Sequence, residues 1–228
     1  MNYYVKTDGN NINDGLSLAN AFATITKGVQ VVQPGDTLFI MPGLYSELVA
    51  LVASGTTLNR IKIVCCDNGI DLSTGNVIDN SYKGEVILSY CDNLGNTILN
   101  TTKFDFNSKS YIDLYGLKCI SIDDCTLITG TNNNIWYSHV SPLGASGSGG
   151  IFGGASYKTN NNSIYWCTSR GAYRGIENIK NVWHSISNNT IGFLAIENLY
   201  FCKSFSIIGF QNFTKAVNCE GYNCNTTF

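Results

Sequence analysis

The stretch Gly175-Ile176-Glu177-Asn178-Ile179-Lys180-Asn181-Val182 returns as Gly192-Phe193-Leu194-Ala195-Ile196-Glu197-Asn198-Leu199. It returns again as Gly209-Phe210-Gln211-Asn212-Phe213-Thr214-Lys215-Ala216-Val217. Each copy runs Gly, apolar, two variable positions, apolar, then an apolar strand start. The glycines stand 17 residues apart. That unit is too short for a pair of helices. It suits one coil of a β-solenoid, in which each turn stacks on the last and buries a column of apolar side chains.

Upstream of the repeat, short strands alternate with polar turns. Ile61–Cys65, Glu85–Leu88 and Tyr111–Tyr115 read as strands. Asp67-Asn68-Gly69, Asp92–Gly95 and Thr131–Asn134 read as turns. The 23 glycines and the many asparagines suit tight corners, because both residue types tolerate left-handed backbone. The Gly/Ser-rich run 143–162 is expected to be a loop projecting from one coil, since strand character resumes at Ile164.

Composition narrows the function classes. Charged residues make up 13% of the 228 and the net charge is −2, so no basic patch marks a nucleic-acid partner. No run approaches the roughly 18 apolar residues of a membrane span. Met1–Lys6 lacks the charged start and apolar run of a secretion signal. Nine cysteines, an odd number at irregular spacing, are expected to be free thiols made in a reducing cytoplasm. Asp8–Gly15 resembles a calcium loop only superficially, because Ile12 takes a ligand position and no Glu closes the loop.

The first 50 residues are the most patterned. Tyr3-Tyr4-Val5 is a strand, and Phe22, Ile25, Val29 and Val32 have helical spacing over about 22–33. Pro34-Gly35 stops that helix and Asp36–Met41 returns as a strand. The ordered pieces Tyr-Tyr-Val (3–5), Asn-Asp-Gly-Leu-Ser (13–17), Ala-Phe-Ala-Thr-Ile (21–25), Gln-Pro-Gly-Asp-Thr-Leu (33–38) and Pro-Gly-Leu-Tyr-Ser-Glu (42–47) resemble the opening of right-handed parallel β-helix proteins of the pectate-lyase-like superfamily. The resemblance implies an all-β, single-stranded right-handed parallel β-helix with a short N-terminal capping α-helix over the open end of the core. It divides the chain into 1–50 (strand, capping helix, first coil) and 51–228 (remaining coils), one domain overall.

Residue chemistry is less decisive. Tyr165, Trp183 and Tyr200 fall at equivalent strand positions and are the stacking candidates. Their neighbours Trp166, His184 and Phe201 form a second column. Strand alternation predicts one column inside and the other outside. The outer one would contact another subunit or offer a flat surface to sugars. Lyases of this resemblance use acidic calcium ligands and a basic residue. The nearest counterparts are Asp123 and Asp124, with Asp105 and Asp113 upstream, and Arg170, Arg174 and Lys180. No motif links these acids and bases, and solvated turn residues are the preferred reading. Glu177 and Glu197 are close to one coil apart and would stack if they shared a face; His139 and His184 stand alone.

No catalytic residue, metal ligand or cofactor is therefore assigned. The preferred expectation is a non-enzymatic structural protein of a bacteriophage particle, a capsid decoration or a tail component. Its partners would be copies of itself in a homotrimer, other virion proteins, and a cell-surface polysaccharide, with no nucleic acid or membrane. Alternatives are a polysaccharide lyase or hydrolase, and a carbohydrate-binding adhesin module.

Overall fold

The recurring glycines mark the place where two walls of a solenoid come closest. A Cβ on Gly175 would lie 2.0 Å from Ser187 Oγ and 2.4 Å from the Gly192 carbonyl oxygen; one on Gly192 would lie 2.3 Å from Ser204 Oγ. Only glycine permits that approach. The glycines thus serve packing, while the left-handed corners fall to Asn178, Ala195 and Asn212 (φ 53–55°). The computed structural model describes residues 1–89, 104–121, 125–142, 149–153, 160–171 and 173–222.

The chain winds as a right-handed parallel β-helix with three walls. The front wall stacks Asn2–Val5, Thr37–Ile40, Ile61–Cys65, Ile112–Tyr115, Asn134–Trp136, Ser163–Tyr165, Asn181–Trp183 and the second half of Ile191–Tyr200. The second wall runs from Gly43–Tyr45 through Lys118–Ser121, His139–Pro142 and Thr168–Arg170 to Glu220–Gly221. The third wall includes Val49–Ala50, Phe104–Asp105, Thr126–Ile128, Gly149–Gly153 and Arg174–Glu177. The 10-residue strand Ile191–Tyr200 bends at Ala195 and serves both third and front walls. The repeat keeps its register: Ile176 pairs with Phe193 and Phe193 with Phe210. Inward columns such as Ile135–Ile164–Val182–Leu199 form one continuous buried core. Each fully buried large side chain there contributes about 1.5–3 kcal/mol.

The capping helix is shorter than its apolar spacing suggests, Ile25–Val31, because Thr24 caps it by accepting from the Lys27 amide. Glu47 of the Pro-Gly-Leu-Tyr-Ser-Glu motif accepts from the amides of Ile25 and Thr26, both at 2.8 Å. A carboxylate on the positive helix end fixes helix to coil. The expected insertion over 143–162 is narrowed, since Gly149–Gly153 is a strand paired on both sides. Residues 143–148 and 154–159 lie outside the described residues, as do Asp92–Gly95 and the final residues 223–228. Asn160, Asn162 and Asn133 turn inward instead. Asn162 Oδ1 accepts from the Asn133 amide, and Asn133 Oδ1 from the Ile112 amide, tying three coils together. Six cysteines are buried and Cys219 is half-buried among the described residues, all as free thiols.

Candidate functional site

The outer face of the front wall carries two columns in strict register. One is Asp113, Asn134, Ser163, Asn181, Asn198 and Lys215; the other is Tyr115, Trp136, Tyr165, Trp183 and Tyr200. Amides bridge the first column: Asn134 Nδ2 donates to Asp113 at 2.8 Å and Asn198 Nδ2 to Asn181 at 3.0 Å. Tyr165, Trp183 and Tyr200 are brought together as the sequence suggests.

The expectation that one aromatic column points inward is corrected. Both point outward. Tyr137, Trp166, His184 and Phe201 sit at the next corner with φ of 48–54°, a left-handed turn that reverses the alternation. Tyr137, Trp166 and Phe201 are 48%, 46% and 43% exposed. Left-handed backbone costs a non-glycine residue about 1–2 kcal/mol. The flat sugar-stacking surface is also corrected. Trp136 lies 3.9 Å from Tyr165 at an interplanar angle of 9°, and Trp183 lies 3.9 Å from Tyr200 at 12°. The rings face one another along the solenoid axis, so solvent meets their edges.

Beside the amide column lies a polar cavity of about 260 Å³, lined by Thr57, Arg60, Tyr111, Asn132, Asn134, Asn161 and Ser163. Arg60 is its charged group. Its Nε donates to Asp113 Oδ2 at 2.9 Å, and Nη2 donates to the carbonyls of Ile112 at 3.0 Å and Asn132 at 2.8 Å. Nη2 also pairs with Asp113 Oδ1 at 2.8 Å. Nη1 makes no hydrogen bond among the described residues, so the guanidinium is rigid yet retains donors for a ligand. Arg60 went unrecognised in the sequence because its partner is 53 residues away. The local signal was the clustering of asparagines at 132–134, which reads as a turn, and at 160–162, which reads as the end of the projecting loop.

A second cavity of about 190 Å³ lies across the same strand, lined by Leu72, Ser73, Tyr115, Trp136 and Tyr137. Leu72 and Ser73 belong to the segment between Cys66 and Val86, which folds over the outer face of the first coils. Leu72, Ile78 and Tyr82 pack there on Phe39, Met41, Val64 and Cys66. Burial, and then the nearby Asp113, pushes the Tyr115 hydroxyl up to about 12, so it stays a donor at neutral pH.

The other candidates scatter. Asp105 is on the third wall and Asp113 on the front wall; Asp123 and Asp124 lie outside the described residues. Arg174 pairs with Glu177 at 2.9 Å on the third wall. Lys180 is on the third-to-front turn, while Arg170 is on the second wall. Glu177 and Glu197 do not stack, because the 17-residue coil places Glu177 beside Leu194. His139 contacts Thr168 on the second wall, next to Lys118, which bridges Asp67 and Glu85. Burial, then Arg170 and Lys118, lowers the His139 pKa and favours neutral imidazole. Among the described residues no three His, Cys, Asp or Glu side chains gather into a metal-binding group, and no helix is long and apolar enough to cross a membrane.

No family model and no curated protein matches this sequence. Solved structures do share the fold. A rhamnogalacturonan lyase superposes with a TM-score of 0.59 at 17% identity over 99% of this chain and 58% of its own. The pectate lyase Pel9A gives 0.57 at 14% identity over 100% of this chain and 70% of its own. A GH136 lacto-N-biosidase from Eubacterium ramulus gives 0.56 at 10% identity, covering 96% of this chain and 56% of the biosidase. This chain therefore spans a little over half the length of the first and third. These neighbours carry the names of carbohydrate-cleaving enzymes, and they overturn the expectation of a non-enzymatic virion protein. That expectation rested in part on the lack of a catalytic cluster in the sequence, and the Arg60–Asp113 pair of the front wall joins residues 53 positions apart. The chain is a parallel β-helix whose structural neighbours include pectate and rhamnogalacturonan lyases.

Proposed function

We propose that this chain is the glycan-binding β-helix of an enzyme that degrades acidic polysaccharide, with the sugar held on the front wall at Arg60. The observation that carries this reading is the polar cavity in which Arg60 is locked by Asp113 and two carbonyls, with no partner for Nη1 among the described residues, beside Asn132, Asn134, Asn161 and Ser163. A guanidinium matches a carboxylate in two-pronged geometry, and amides and hydroxyls match sugar hydroxyls. Neutralising a uronate carboxylate favours removal of the adjacent proton by a base. Structural neighbours named as pectate and rhamnogalacturonan lyases support this substrate class.

The test is incubation of the protein with pectate and with rhamnogalacturonan, following unsaturated products and new reducing ends. Cleavage is expected, and Arg60→Gln should lower it at least about tenfold, the effect of losing one charge-assisted hydrogen bond. Wild-type protein that neither cleaves nor binds either polymer contradicts the reading. A binding module without turnover is the second reading. It is favoured by the pairing of Asp113, the nearest acid, with both Arg60 and Asn134. Binding with no product selects it.

A further inference from the structure

The corner ladder ends on an open ring face. Tyr137 stacks on Trp166 at 5.5 Å and 20°, so one of its faces is occupied. The other face turns toward the preceding coil, where the corner residue is Gly116: its amide donates to the Trp136 carbonyl as the Tyr137 amide donates to that of Tyr165. Gly116 offers no ring. Its place is approached by Leu72, whose Cδ1 would lie 2.2 Å from a Cβ at that position. The cavity of about 190 Å³ therefore lies between Leu72 and Ser73 on one side and Tyr137 on the other, with Tyr115 and Trp136 also lining it. Trp136 Nε1 is buried and has no acceptor among the described residues. An orphan donor of this kind is satisfied when an oxygen reaches it.

We infer that this slot is a second sugar subsite, holding one pyranose ring against the free face of Tyr137 as the next rung of the stack. The inference rests on the front-wall reading above. The slot and the Arg60 cavity are flanked by Trp136 and Asn134, two residues apart on one face of one strand. That is about 7 Å, close enough for neighbouring sugars of one chain. The glycan thus runs along the strand direction, across the solenoid axis. The Cys66–Val86 segment walls it on the side of the first coils.

The test titrates a tetragalacturonide into wild type, Arg60→Gln, Ser73→Trp and Tyr137→Asn by calorimetry, with circular dichroism to confirm folding. Ser73→Trp fills the slot from the rim. Tyr137→Asn removes the ring while keeping a residue suited to the left-handed corner. Each is expected to weaken binding about tenfold. Unchanged affinity in both, with loss in Arg60→Gln, overturns the slot alone. Loss in both slot variants with Arg60→Gln unchanged supports the slot and overturns the Arg60 contact. Wild type that does not bind overturns both.

Discussion

One outward column of the front wall runs Tyr4, Phe39, Val64, Tyr115, Trp136, Tyr165, Trp183, Tyr200 in unbroken register. Its two ends have opposite fates. Phe39 and Val64 are core, roofed by Leu72, Ile78 and Tyr82. Trp136, Tyr165, Trp183 and Tyr200 are half-buried, and solvent meets their edges. The strand geometry is the same at both ends. What differs is the chain added between front and second walls, 20 residues from Cys66 to Glu85 in one coil and two in each of the later ones. An identical position in a repeat is thus core or surface according to what its neighbours insert, and the boundary between the two is where a groove can form.

The largest test of that contrast is truncation at its two ends. Phe39→Ala should cost about 3–5 kcal/mol, the usual loss for a buried aromatic ring. Tyr165→Ala should cost less than about 1.5 kcal/mol, the scale of one stacked pair. Urea denaturation measures both, and equal losses would break the distinction. Next comes the narrow part of the coil. Gly175→Ala places a Cβ against Ser187 Oγ and the Gly192 carbonyl, and should cost about 1–3 kcal/mol through overpacking. A neutral result would mean that the walls yield there more readily than the contacts suggest.

A smaller effect is expected at the capped end. Glu47→Gln removes the charge from the helix N-terminus and should lower stability by about 1 kcal/mol, seen as a reduced Tm. The smallest perturbation concerns thiols. Burial pushes Cys66, under the roof, up to about 12. The Cys202 thiol beside Cys219 holds it at about 7. Thiolate is the reactive form. Alkylation with iodoacetamide should therefore label Cys219 before Cys66, at a rate that rises with pH through about 7. Mass spectrometry of labelled peptides would show it, and faster labelling of Cys66 would mean that the roof opens.

The fold was legible because its signals are local or periodic. The 17-residue glycine spacing became the observed register, and the opening motifs became the strand, the helix and the Glu47 clamp. The face of the aromatics was not legible, because alternation fails wherever one residue turns left-handed, and Trp166, His184 and Phe201 are residue types that seldom do so. The roof was missed because the segment around Leu72, Ile78 and Tyr82 shows neither helical nor strand period. Arg60 and Asp113 were missed as a pair because only the stacking of coils brings them together. Two acids singled out in the sequence, Asp105 and Asp113, prove to occupy different walls.

The most direct measurement is a crystal structure of the protein with an oligogalacturonide. A uronate carboxylate is expected on Arg60 Nη1 within the cavity of Asn132, Asn134 and Ser163, and the adjoining ring against Tyr137 between Leu72 and Trp136. A ligand bound on the second or third wall instead, with the Arg60 cavity holding only solvent at saturating oligosaccharide, would contradict that placement.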